Sequence, residues 1–300
     1  MTASFTTASS VDEAVSAMAA GARPVAGGTD LVVGARQGKA PLPESIVAIH
    51  RVAELRGISE IAGALRLGAL VSHEEIAANP VVRERLTALA DASAIVGSHA
   101  TRAQGTIGGN VMNASPAMET GGPLICLGAT ATLHGPGGTR WVEVADLFAG
   151  PGRTTAGADE LLTAMDVPLP ADGTGSCYVR LEYRRQMEIA VVGATAMVTL
   201  VDGVVSAAKV AITALAPTIH RVVAAEAALV GSSGDAAAIE AAAQATADGS
   251  APISDVRASE RYRRAMAKVV AERAIAGALA RARGEKVAVP ASASLYGGLR

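Results

Sequence analysis

Thr106-Ile-Gly-Gly-Asn-Val-Met-Asn-Ala-Ser-Pro-Ala-Met-Glu-Thr120 is the stretch whose reading decides the fold. Gly105, Gly108 and Gly109 fall within five residues, and Asn110, Asn113, Ser115 and Glu119 follow closely. Glycine lets a backbone approach a ligand with no Cβ in the way and reaches φ > 0 at little cost. Beside short amide and hydroxyl side chains it predicts a loop of inward-pointing N–H groups suited to an oxyanion. Upstream, Pro24-Val-Ala-Gly-Gly-Thr-Asp-Leu31 offers the same chemistry. Either stretch alone reads as an ordinary turn between a strand and a helix. The pair predicts two walls of a site for a long, phosphate-bearing ligand.

The composition narrows what that ligand can be. Half of the 300 residues are apolar but only 2% are aromatic, so the core must consist of Ala, Val, Leu and Ile. A chain of this length buries a large core and is expected to divide into two or three lobes. The net charge of −2 gives no argument for nucleic acid or an anionic membrane as partner. No apolar run reaches the roughly 18 residues that span a bilayer. The opening MTASFTTASSVDEAV lacks the basic and apolar regions of a secretory signal, so a cytoplasmic protein is expected. Cys126 and Cys177 are too few for a four-cysteine iron–sulfur cluster and are expected to be buried thiols. Any redox group is then an organic cofactor.

Read in order, Ser9-Ser10-Val11-Asp12-Glu13 opens a helix that Gly21 stops. Strands are expected at 23–26 and 46–49, with a helix beginning at Asp30, and a hairpin over 58–67. Ser72-His73-Glu74-Glu75 fits a capping box, and a further helix over 82–95 leads into the central glycine loop. A second hairpin crosses Gly135-Pro-Gly-Gly138, and a strand ends at Val167-Pro168. Residues 171–176 are expected to be a linker. Strands over 178–183, 194–201 and 204–215 precede three Ala-rich helices, the order of an α+β lobe.

Several other motifs fail. Gly34-Ala-Arg-Gln-Gly-Lys39 has three residues between its glycines rather than four, and lacks the Ser/Thr of a phosphate-binding P-loop. No G-x-G-x-x-G follows the first strand, which counts against a Rossmann unit. The five histidines show no helical pairing for a metal. Arg261, Arg263 and Arg264 read as a solvated helix face, with a partner interface as the second reading.

Four segments together resemble the FAD-binding medium subunit of molybdenum hydroxylases, the class that includes carbon monoxide dehydrogenase and xanthine dehydrogenase. They are Val25-Ala-Gly-Gly-Thr-Asp-Leu31, Thr101-Arg-Ala-Gln-Gly-Thr-Ile-Gly-Gly-Asn110 continued by Ala114-Ser-Pro116, Glu160-Leu-Leu-Thr before Val167-Pro168, and Tyr183-Arg-Arg-Gln-Met-Glu-Ile-Ala190. The resemblance implies two α/β FAD-binding subdomains of the vanillyl-alcohol-oxidase/CO-dehydrogenase flavoprotein type, 1–55 and 56–171, followed by an α+β C-terminal domain, 172–300.

It also implies roles. Val25, Ala26, Gly27, Gly28, Thr29, Asp30 and Leu31 would hold the FAD pyrophosphate. Thr106, Ile107, Gly108, Gly109 and Asn110 would do the same and reach the flavin, with Ser115 beside them. Glu119 stands where relatives carry Asp for a cofactor hydroxyl or amide, and Arg180 where they carry Lys. Val96 would pack near the flavin and Leu162 would cover the adenine or flavin. No residue of this chain is implied as catalytic or metal-binding.

The implied function is an oxidoreductase subunit that works only within a complex. It would pass electrons from [2Fe–2S] clusters on a small partner to NAD, a quinone or oxygen. A large partner would carry the molybdenum cofactor, in a dimer of heterotrimers. Thr29-Asp30, where carbon monoxide dehydrogenases tend to have His-Ser, points toward an aldehyde or N-heterocycle substrate. Two other readings stay open: a self-sufficient FAD oxidase of the vanillyl-alcohol oxidase type, and a flavin-free nucleotide-binding or assembly module.

Overall fold

The computed structural model describes residues 4–38, 40–184 and 186–292. Its first unit contains β1 (Ser4–Thr7), α1 (Val11–Ala19), β2 (Arg23–Val25), α2 (Leu31–Arg36) and β3 (Ser45–Ala48). The strands are parallel in the order β1-β3-β2. Parallel strands need crossovers: α1 carries the chain from β1 to β2, and α2 leads from β2 to its neighbour β3. Ser10 caps α1 by accepting the Glu13 N–H, while the Glu13 carboxylate accepts from Ser9. The buried face Ala14, Val15 and Met18 packs with Val47, Ile49 and Leu55, and reaches Leu70 and Leu161 of the next unit. β1 was not legible beforehand: SFTT has neither apolar alternation nor buried positions.

The second unit begins with the hairpin β4 (Ile58–Ile61) and β5 (Ala64–Gly68). The Ser72–Glu75 capping box forms as expected at the start of α3 (His73–Ala78). The helix expected over 82–95 is two, α4 (Pro80–Arg85) and α5 (Thr87–Ser93), broken at Leu86. Then come α6 (His99–Gln104), α7 (Ile107–Asn113), α8 (Gly121–Leu127), β6 (Thr130–Gly135), β7 (Gly138–Glu143), α9 (Val144–Leu147), the short pair β8 (Phe148–Gly150) and β9 (Arg153–Thr154), and β10 (Leu161–Pro168). The main sheet is antiparallel, ordered β4-β5-β10-β6-β7. Leu65, Leu67, Leu133 and Met165 share a core with residues from α3, α4, α5, α7 and α8.

The third unit has β11 (Thr174–Leu181), β12 (Val192–Val201), β13 (Val204–Thr213) and β14 (His220–Arg221) in one antiparallel sheet, with α10 (Val223–Leu229), α11 (Ala236–Asp248) and α12 (Glu260–Ala282). The expected linker over 171–176 is half strand. Thr174, Gly175 and Ser176 pair with Thr199, Val198 and Met197, and a Cβ on Gly175 would collide with the α12 backbone at Ala278 and Ala282. The small residues there serve close packing rather than flexibility. The solvated arginine face on α12 holds at Arg261 and Arg264, which are exposed, and is corrected at Arg263. Arg263 is buried, donating to the Val191 and Ala214 carbonyls and to Asp255, and Arg264 donates to the Ala247 and Ser250 carbonyls.

Asp91 of α5 ties the second unit to the third. Fully buried, it receives Arg281 of α12 at 2.6 and 3.0 Å and the N–H groups of Tyr178 and Ala291. Burial holds its carboxyl above the usual range, against the pull of Arg281.

Candidate functional site

The two glycine segments, far apart in the chain, meet. A Cβ on Gly27 would lie on the carbonyl oxygen of Gln104, and one on Gly105 would come 3.4 Å from Thr29 Oγ1. Gly27 is therefore required by close approach, and Gly28 by its φ of +70°. The N–H groups of Gly27, Gly28 and Thr29 donate to no acceptor among the described residues, which leaves a partly exposed backbone cradle. Val25 ends β2, its carbonyl taken by the Ile49 N–H, and Ala26 packs against the first core. Asp30 precedes α2 and points to the exterior, while Leu31 is half-buried at the helix start.

The segment that opened the sequence reading is not a loop: residues 107–113 are the helix α7. Thr106 caps it, accepting the Gly109 N–H at 3.1 Å. The Ile107 N–H goes to the Val71 carbonyl, Gly108 to Ala69 and Asn110 to Thr106. These first-turn donors are thus spent inside the protein, and the expected nest of free N–H groups lies only in the first segment.

The glycine pair divides into two roles. A Cβ on Gly108 would sit 2.7 Å from both Cβ and O of Ala69, so that residue lets α7 press on the end of β5. Gly109 faces outward, and its Cβ position meets only Thr106 Oγ1, at 3.0 Å. No contact among the described residues requires Gly109 to be bare. Asn110 is oriented by Thr120, whose hydroxyl donates to Asn110 Oδ1 at 2.6 Å. Ser115 stands half-buried beyond the left-handed Ala114 and accepts the Ala117 N–H.

Glu119 and Arg180, 61 residues apart, are brought together: Arg180 Nη1 donates to Glu119 Oε1 at 2.5 Å. Arg180 has no exposed surface and also reaches the Glu188 carbonyl. Nε and Nη2 converge on Glu182 Oε2, each at 2.5 Å. Burial raises the Glu119 carboxyl, Arg180 opposes that, and the Glu182 charge adds to it. For Arg180, burial works to lower the guanidinium, but Glu119 and its other neighbours outweigh it.

Val96 is half-buried, its carbonyl accepting from Arg102. The segment after it touches the 183–189 segment: the Met187 N–H donates to the Gly97 carbonyl and Thr101 Oγ1 to Met187 Sδ. Leu162 is only 2% exposed and lies in the second core, away from the open cradle. Lys39 of the failed P-loop and Arg185 of the arginine pair lie outside the described residues.

The sequence reading missed His73 and Glu182. His73 is buried beneath the junction, its N–H donating to the Gly105 carbonyl and its ring against Gly105, with Nδ1 unpartnered among the described residues. Burial, and then the Arg102 charge, lower it to about 4, so it is neutral at pH 7. Nothing in the capping-box pattern announces this. Glu182 had a signal: it sits two residues from Arg180 at the end of a strand, on the same face.

Both cysteines are buried thiols. Burial pushes the Cys126 thiol to about 12 and raises Cys177 well above its usual value. Among the described residues no group of three or more His, Cys, Asp or Glu could hold a metal ion, and no helix is long and apolar enough to cross a membrane. The backbone cradle and the bare Gly109 face suit a phosphate-bearing cofactor. The fold and site define a protein built to hold a phosphate-bearing cofactor.

Residues 1–170 match the FAD binding domain in molybdopterin dehydrogenase, and residues 178–278 match the CO dehydrogenase flavoprotein C-terminal domain. The carbon monoxide dehydrogenase medium chain of Hydrogenophaga pseudoflava is 32% identical, over 80% of this chain and 83% of its own. The xanthine dehydrogenase FAD-binding subunit of Escherichia coli O157:H7 is 29% identical, over 94% and 98%. The solved H. pseudoflava carbon monoxide dehydrogenase, which lacks the Mo-pyranopterin moiety, superposes with a TM-score of 0.90 at 32% identity, covering 94% of this chain and 98% of that one. Quinoline 2-oxidoreductase from Pseudomonas putida 86 gives 0.87 at 30%, covering 94% and 97%. The chain belongs to the FAD-binding subunits of molybdenum hydroxylases, and FAD is its cofactor.

Proposed function

We propose that this subunit holds FAD across the junction of its two glycine segments and relays electrons from a small [2Fe–2S] partner to an external acceptor. A large partner would carry the molybdenum cofactor and oxidise the substrate, and the acceptor is NAD, a quinone or oxygen. When bound, FAD takes electrons singly and releases them in pairs. The chain's own residues bind and orient it.

The observation that carries this reading is the junction itself: among the described residues, the N–H groups of Gly27, Gly28 and Thr29 find no acceptor, and nothing requires the outward Gly109 of the neighbouring helix to be glycine. Val25 to Leu31 form the pyrophosphate wall. Thr106, Ile107 and Gly108 set the angle of α7, so that Gly109 and Asn110 form the opposite wall. Ser115 and Glu119 continue it toward the flavin, and Arg180 fixes Glu119 from behind. Val96 lines the edge and Leu162 supports the sheet beneath. Units 1–55, 56–171 and 172–300 serve as two walls and a brace.

The assembly we propose is a dimer of heterotrimers in the cytoplasm; the medium-chain and FAD-subunit names of the relatives support its being a multi-subunit complex. The identity of the substrate rests with the large partner. Thr29-Asp30 favours an aldehyde or N-heterocycle over carbon monoxide.

To test this, the isolated chain is loaded with FAD and assayed for substrate-dependent dye reduction alone and with both partners. Flavin uptake with turnover only in the mixture is expected. Substrate turnover by the isolated chain would refute the relay and favour a self-sufficient oxidase.

A further inference from the structure

Behind Glu119 one guanidinium serves two carboxylates. Arg180 sends Nη1 to Glu119 and brings Nε and Nη2 onto Glu182. The side chains of Arg180, Glu119 and Glu182 are 0%, 9% and 18% exposed, so water screens the trio little. The neighbouring Glu188 is already matched by Arg184 at 3.4 Å. Among the described residues, then, this corner holds one positive and two negative charges. A buried charge acts over distance far more strongly than one in water.

We infer that Glu182 is a positioning residue for the flavin site. It locks the Arg180 guanidinium in the plane that presents Nη1 to Glu119, and its own charge leaves the corner with one surplus negative charge. This rests on the proposed placement of Glu119 and Arg180 beside the bound flavin. Reduction adds negative charge to a flavin, so a surplus carboxylate favours the oxidised form and lowers the midpoint potential. Glu182 thereby makes the cofactor readier to give electrons up than to keep them. Glu182 also fills a geometric role, because an arginine with four rotatable side-chain bonds loses entropy when held and needs a partner at both ends of its fork.

The test separates charge from shape in the FAD-loaded full chain. Glu182→Gln keeps the shape and removes the charge, while Glu182→Asp keeps the charge and shortens the reach. Midpoint potential, FAD dissociation constant and thermal unfolding without FAD are measured for each. The expected result is a positive shift for Glu182→Gln. The affinity for reduced relative to oxidised FAD rises on the order of tenfold, about 30 mV for a two-electron couple. Glu182→Asp stays near the parent potential but binds FAD more weakly.

An unmoved potential in Glu182→Gln, or an equal shift in both variants, overturns the inference. So does loss of FAD in both variants in step with lost stability, which would mark Glu182 as structural. If Glu182→Gln holds no FAD, a Glu182→Asp chain that binds FAD at the parent potential supports the charge assignment. A parent chain that takes up no FAD refutes the functional reading itself, and this inference with it. Uptake with a potential indifferent to Glu182→Gln refutes this inference alone.

Discussion

Gly108 and Gly109 are adjacent and chemically identical, yet replacing them should have opposite consequences. In Gly108→Ala the new methyl would sit 2.7 Å from Cβ and O of Ala69 and 3.0 Å from its Cα, all of them backbone-anchored. Helix α7 must lift away from β5. That strains or breaks the Gly108 N–H bond to Ala69 and the Ile107 N–H bond to Val71, at 3.0 and 2.9 Å. Overpacking costs about 1–3 kcal/mol, and each weakened hydrogen bond about 1 kcal/mol. A gain of roughly 0.5–1 kcal/mol from replacing a helical glycine offsets part of this. The net loss should be about 2–4 kcal/mol by these terms. In Gly109→Ala the methyl meets only the Thr106 hydroxyl at 3.0 Å, and the same helical gain roughly cancels that crowding. Gly109→Val, with a larger side chain on the same outward face, should abolish FAD binding while leaving the helical content nearly intact. Urea unfolding of the cofactor-free variants, followed by flavin titration, reads both effects. Equal destabilisation at the two positions, or full flavin occupancy in Gly109→Val, would refute the division into a packing glycine and a ligand-facing one.

Three further outcomes follow from the buried groups. His73 is held near 4 in the folded chain but titrates near 6.5 when unfolded, so below 6.5 the unfolded state binds a proton that the native state refuses. Stability should therefore be full above pH 6.5 and fall toward pH 4, by up to about 3 kcal/mol at 1.36 kcal/mol per unit; Glu or Asp titrations aside, His73→Gln should flatten that part of the curve in pH-dependent urea melts, and an unchanged curve would show that the imidazole protonates freely. Asp91→Ala should cost about 3–5 kcal/mol, because Arg281 is left buried beside unpaired N–H groups of Tyr178 and Ala291; a loss under 1 kcal/mol in calorimetry would mean that water takes the place of the carboxylate. Glu119→Ala should raise the FAD dissociation constant about 10- to 150-fold, corresponding to a charged hydrogen bond of roughly 1.5–3 kcal/mol, while Arg180 keeps Glu182 as partner and the fold persists; an unchanged constant in titrations of the cofactor-free protein would remove Glu119 from the site.

The sequence by itself determined the local elements whose signals are local. Ser10 and Ser72 announced their helices because a cap is a bond between residues three apart. The β4–β5 and β6–β7 hairpins and the Ala-rich helices followed from turn residues and periodicity. Composition left only an organic group for any redox role, and the paired glycine segments suggested two walls for a phosphate-bearing ligand. Tertiary structure decided the rest, because close approach between distant backbones leaves no local trace. That Gly27 abuts Gln104, Gly108 abuts Ala69 and Gly175 abuts α12 could not be told from a glycine's mere presence. The central stretch read as a loop because glycine and asparagine are weak helix formers; the Ile107 and Gly108 bonds to Val71 and Ala69, supplied from β5 and beyond, hold it as a helix. Likewise the resemblance singled out Glu119 and Arg180 separately, but their pairing needed β11 to be laid beside the turn after α7. Burial shaped the corner: with little water around them, Glu119 and Glu182 share the Arg180 guanidinium.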